Sequence, residues 1–167
     1  MAFNNTGYAV RLFEHVRQWY AHQCHELHRR SIHRRLGNDP TQHVHSPSAS
    51  LGIAQVLLDH LPRQSGDVHQ LWVGLAVQPL AQLLYAASRQ RGDSNGMEWV
   101  GTALVNTEAA ETMPGWRQAA NTWSQGTALP ERLLSLANLA PRQRNSITDV
   151  MHSAITPWLH SCEGDLA

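Results

Sequence analysis

The sequence contains no lysine and little charge overall. All 13 basic residues are arginine, and 13 acidic residues balance them, so the formal net charge is zero. Either a drift in genome composition or selection for bidentate binding of carboxylate or phosphate produces such an arginine-only set, and both explanations stay open. A phosphate-binding loop that ends in Gly-Lys is excluded because it needs lysine. Only 16% of the residues are charged, a low share that is typical of a protein docked against a partner.

Cysteine is also scarce, and long hydrophobic runs are absent. Cys24 and Cys162 lie near opposite ends of the sequence, so we expect no disulfide framework. The first residues do not combine a basic region with an apolar stretch, and no apolar run approaches the roughly 18 residues of a membrane span. We therefore expect a cytoplasmic protein without a signal peptide or a membrane segment.

The clearest pattern lies at the start of the chain. Seven apolar residues recur there at helical spacing: Ala9, Leu12, Phe13, Val16, Tyr20, Cys24 and Leu27. They predict an amphipathic helix from about residue 8 to residue 30 or beyond, whose opposite face is rich in arginine and histidine. Gly37 and Pro40 end it, and residues 37–50 are predicted to be a flexible loop.

Helical periodicity continues through the rest of the chain. Predicted helices follow over residues 49–61, over 67–91 around Pro79, over 97–111, around Trp116 and Trp123, after Thr127, and from about residue 145 to a kink at Pro157. No stretch alternates with the two-residue period of a strand. The sequence predicts an all-α, single-domain bundle of six to seven helices, some kinked at proline, over residues 1–167.

Catalytic chemistry has little support in the sequence. Neither cysteine and no serine lies in a glycine-framed turn of the kind that presents a nucleophile. Glu108 and Glu111 share a helix face, where solvated carboxylates are commoner than acid–base pairs. We therefore predict that the protein is not an enzyme.

Histidines cluster at the end of the first predicted helix, at positions 22, 25, 28 and 33. The segment His25-Glu26-Leu27-His28 is one residue short of the zinc-protease pattern. Its two histidines are three residues apart, whereas zinc binding in that pattern needs a spacing of four. Helix-face histidines are usually solvated, and we predict no metal and no cofactor. A small His-rich metal-binding protein stays open as an alternative.

Arginines form the most informative cluster. Arg29, Arg30, Arg34 and Arg35 crowd the end of the first predicted helix, and like charges repel unless an anion lies among them. Capping of the helix C-terminus is the structural alternative. We predict contacts with a nucleic-acid backbone, RNA or DNA, with Arg142 and Arg144 as second candidates.

Two tryptophans suggest a different role. Trp116 and Trp123 lie seven residues apart in a short predicted helix. At that spacing they either enter the core or form an exposed patch that binds a partner helix. The second reading predicts a protein–protein adaptor or chaperone-like helical module without nucleic acid.

Three stretches resemble a known family. They are Leu71-Trp72-Val73-Gly74-Leu75-Ala76, Val100-Gly101-Thr102-Ala103-Leu104 and Pro130-Glu131-Arg132-Leu133-Leu134-Ser135-Leu136. Together they resemble the small all-helical subunits of multi-subunit CRISPR effector complexes. The second and third stretches are further apart than in that family, and the single Arg132 replaces a doubled arginine. The resemblance implies a non-catalytic antiviral-defence subunit that contacts other subunits and supports the guide and target strands through basic side chains.

Overall fold

The computed structural model describes residues 30–62 except residue 33, then 67–90, 96–107, 113–128 and 131–159. The chain divides into two compact units, Met1–Arg35 and Leu36–Ala167. The single domain over residues 1–167 therefore stays a prediction. Most of the predicted first helix lies outside the described residues. Residues 30–32 and 34–36 are helical, and Gly37 follows with a φ of +63°, a left-handed conformation that glycine adopts without steric cost and that commonly ends a helix.

The segment after Gly37 is ordered by its own side chains. Pro40–His43 forms a 3-10 helix that is capped by Asp39, and Asp39, Thr41 and Val44 are buried. The next helix already begins at residue 47. The prediction of a flexible loop over residues 37–50 is therefore wrong. The polar composition of this segment suggested a solvent-exposed loop, but the carboxylate of Asp39 is buried and accepts its hydrogen bonds inside the fold.

Six α-helices follow the 3-10 helix: α1 (Pro47–Leu58), α2 (Asp67–Gln90), α3 (Gly96–Val105), α4 (Trp116–Gly126), α5 (Leu133–Ala137) and α6 (Pro141–Leu159). No strand occurs in the described ranges, and the predicted all-α fold is confirmed. Helix α1 begins two residues earlier than expected, because the Ser46 side chain accepts the backbone N–H of Ala49 and so caps the helix. Helix α6 begins at Pro141 and not at about residue 145 as expected, since proline fits the first turn of a helix.

Helix α2 is the central element of the Leu36–Ala167 unit. It contacts the 3-10 helix and all five other helices. From Pro79 to Ala87 every residue is buried, so the second half of the helix is enclosed by its neighbours. The first half is not enclosed, and it leaves Leu71 and Leu75 exposed.

One described helix is long and apolar enough to cross a membrane by length and composition alone, over residues His69–Gln90. The expectation that no apolar stretch approaches such a length was therefore too strong. Just over half of its most apolar window is buried inside the protein, and core helices pass the same test, so the finding is weak evidence for a span.

Candidate interaction surfaces

The first candidate surface consists of the arginines near the end of the predicted first helix. Arg30, Arg34 and Arg35 are exposed on helical backbone, whereas Arg29 lies outside the described residues. Residues four apart lie on one face of a helix, so Arg30 and Arg34 present their charges side by side. None of the three forms a salt bridge with a described carboxylate. Within the described residues, no carboxylate neutralises these positive charges.

The second arginine pair belongs to the first turn of α6. That turn contains no acidic residue, and the positive end of the helix dipole lies there, so the dipole of α6 itself does not favour cations at these positions. Arg142 is exposed. Arg144 is half-buried and donates a 3.3 Å hydrogen bond to the carbonyl of Ala137, the last residue of α5. Arg144 therefore caps the preceding helix, and of the two only Arg142 is exposed to a ligand.

The tryptophans form part of the core. Trp116 and Trp123 are both 0% exposed, and the indole ring of Trp123 meets Tyr85 edge-on with 5.7 Å between ring centroids. The prediction that they form an exposed partner-binding patch is wrong. Helix α4 turns its apolar face, which includes Ala119 and Ala120, inwards, and α2 lies against it.

A cleft that sequence reasoning missed lies where α2, α5 and α6 meet. It has a volume of about 520 Å³. Its apolar lining includes Trp72, Leu75, Pro79, Leu136, Leu139 and Ile147. Arg132 is the one charged residue among the described residues that line it, and Gln78, Ser135 and Gln143 supply most of the polar rim. We call this cleft the α2 groove.

The sequence contained an ambiguous signal for the α2 groove, namely the apolar residues Leu71, Trp72 and Leu75. Their pattern is typical of a core helix, but in the structure Leu71 and Leu75 are exposed and Trp72 is half-buried. Apolar residues on adjoining faces of one helix require neighbours on both sides. The sequence does not show that, among the described residues, no neighbour covers Leu71 and Leu75.

A metal centre finds no support in the described part of the chain. No group of three or more His, Cys, Asp or Glu side chains converges there. His22, His25, His28 and His33 lie outside the described residues, so the His-rich alternative stays a prediction.

Comparison with protein-family models, with curated proteins and with solved structures gives no match.

Proposed function

We propose that the protein is a non-catalytic helical subunit of a nucleoprotein assembly and that it contacts the nucleic-acid backbone through arginine. The observation that supports this proposal is the exposure of Arg30, Arg34 and Arg35 without a salt bridge to any described carboxylate. Arg29 and Arg142 are further candidate contacts, and Arg144 is a weaker one because it caps α5.

The physical argument rests on charge neutralisation. Clustered guanidinium groups repel one another in solution, and a phosphate backbone relieves that repulsion and releases its own counterions on binding. Because such contacts involve phosphates, they position the protein along a strand without reading bases. The resemblance to small subunits of CRISPR effector complexes leads to the same proposal, including a cytoplasmic role in antiviral defence beside other protein subunits.

Salt-dependent binding tests this function. Fluorescence anisotropy with labelled single-stranded RNA and single-stranded DNA would be measured at low and at near-physiological salt. We expect affinity to fall as salt rises. The triple variant Arg30→Gln/Arg34→Gln/Arg35→Gln should lose about two units of the logarithmic salt slope, since each phosphate contact on a single strand contributes roughly 0.7.

A single-charge control outside the cluster is available in Arg117, which is exposed on α4. Arg117→Gln removes one positive charge without touching the cluster, and it should bind almost as the wild type does. If the triple variant and this control bind alike, or if binding does not depend on salt, the nucleic-acid proposal fails.

A second candidate function is a protein–protein adaptor without nucleic acid. The α2 groove favours it, because exposed apolar side chains that line a concave surface are typical of protein-binding sites. Gentle purification separates the two functions. A defined protein partner in a complex with the low 260/280 nm absorbance ratio of pure protein supports the adaptor, whereas a high ratio supports the nucleoprotein subunit.

A further inference from the structure

The α2 groove has the shape of a site for a helix. Trp72, Leu75 and Pro79 have the i, i+3, i+7 spacing of one helix face and form one wall. Leu136, Leu139 and Ile147 come from α5, from the residues after it and from α6, and they form the other wall. Seven residues of helix rise about 10 Å, so the first wall alone matches about two turns of a bound helix.

The exposed fraction of the side chains shows that nothing in the described structure fills this site. Leu75 is 46% exposed and Leu71, one turn earlier on the same helix, is 56% exposed. Leucines in the buried half of α2, such as Leu80 and Leu83, are 0% exposed. Covering apolar surface of this kind with another apolar surface is favourable in water.

The charge at the rim indicates the chemistry of the occupant. Arg132 is exposed and lines the groove. The neighbouring carboxylate of Glu131 does not line it, and both of its oxygens accept the backbone N–H of Leu134 at 3.1 Å. Glu131 is therefore engaged at the start of α5. A carboxylate on the occupant would complement the positive charge of Arg132.

We infer that the α2 groove binds an amphipathic helix of another protein, with the apolar stripe of that helix in the groove and an Asp or Glu at its flank facing Arg132. This inference rests on the adaptor function, or on the protein contacts of the proposed assembly, and it does not depend on nucleic acid. The chain's own predicted helix over residues 8–30 has an apolar stripe, but it carries four arginines against two glutamates, a net positive charge. That charge does not complement Arg132, so we assign the site to a different, acidic partner.

Two synthetic peptides test the inference. Both carry leucine at positions i, i+3, i+4 and i+7, and they differ only in having glutamate or lysine beside that stripe. Fluorescence anisotropy of each labelled peptide would be measured with the full-length protein. We expect the glutamate peptide to bind more tightly than the lysine peptide. Arg132→Glu should weaken the glutamate peptide about fivefold and strengthen the lysine peptide, because it changes one attraction into one repulsion.

A second variant tests the apolar contact. Leu75→Ser should weaken the glutamate peptide about tenfold, since it removes the most exposed leucine that lines the groove. Val105→Ser is the matched control, because Val105 is 71% exposed on α3 and does not line the groove. It should bind as the wild type does. Circular dichroism would establish that both variants keep their helical content.

Four results would overturn the inference. They are the absence of binding, equal binding of the two peptides, tighter binding of a peptide of residues 8–30 of this chain, and displacement of the glutamate peptide by lipid vesicles. The third result would assign the groove to the chain's own segment, and the fourth to a membrane. The triple arginine variant should leave peptide binding unchanged, so a failure of the nucleic-acid proposal is distinguishable from a failure of this one.

Discussion

The backbone N–H of Gly96 donates a 2.9 Å hydrogen bond to Oδ2 of Asp39, which lies 57 residues earlier in the chain. The other oxygen of the same buried carboxylate, Oδ1, accepts the backbone N–H of Thr41 at 3.0 Å and its hydroxyl at 2.6 Å. One side chain therefore caps the 3-10 helix and also the first residue of α3. This contact joins two elements whose sequences give no sign of one another.

Removing the carboxylate should be costly. Asp39→Ala leaves the N–H groups of Gly96 and Thr41 without this acceptor, and we expect a loss of about 3 kcal/mol in the free energy of unfolding. Thr41→Val removes the hydroxyl bond to Asp39 but keeps the carboxylate, and it should cost about 1 kcal/mol. Urea denaturation followed by circular dichroism measures both values. Equal stability of the two variants would show that Asp39 does not join these elements.

The close approach at Gly96 predicts a second effect. A Cβ atom built there would lie 1.8 Å from Oγ1 of Thr41, whereas one at Gly74 would meet nothing within 4 Å. Both residues are helical, so alanine should stabilise at Gly74 by about 0.5–1 kcal/mol. Alanine at Gly96 should destabilise, because Thr41 must move. Melting temperatures of the two variants should shift in opposite directions, and a shift in the same direction would contradict the packing described for Asp39, Thr41 and Gly96.

The burial of Trp123 in the core can be tested by the stability of a truncated variant. Because its ring is wholly buried against Tyr85, Trp123→Ala should cost about 3–5 kcal/mol of stability. Leu134→Ala, at a position that is 40% exposed on α5, should cost much less. Urea denaturation of both variants tests this order. If the Trp123→Ala protein were as stable as the wild type, Trp123 would not be a core residue, which would contradict the structure.

Gln82 links the core to the α2 groove. It is fully buried, and its Oε1 accepts the backbone N–H groups of Leu133 at 2.8 Å and of Arg132 at 3.4 Å. Gln82→Leu removes that acceptor at the start of α5 and should cost about 1–3 kcal/mol. Since α5 contributes to one wall of the groove, the same variant should also weaken the glutamate peptide. Gln82→Glu keeps an acceptor oxygen and should retain more of that peptide binding than Gln82→Leu does.

Local patterns in the sequence indicated where most of the helices lie. The predicted helix over residues 67–91 and the observed α2 differ by one residue, and the chain turns at Gly37 as expected. Helical periodicity and glycine depend on neighbours within a few residues, and so a single sequence reports them well. The predicted starts of α1 and α6 were less accurate than the rest, because several residues near Ser46 and Pro141 could cap or begin each helix.

The sequence by itself determined the all-helical class, the order of most helices and the crowding of arginine around residues 29–35. Only the tertiary structure decided that Trp123 is enclosed while Leu75 is exposed, since apolar spacing marks a face without showing what covers it. It likewise decided the hydrogen bonds between Asp39 and Gly96 and between Gln82 and the start of α5, whose partners lie 50 or more residues apart. Contacts between distant segments depend on how helices pack in space, and no local pattern encodes them.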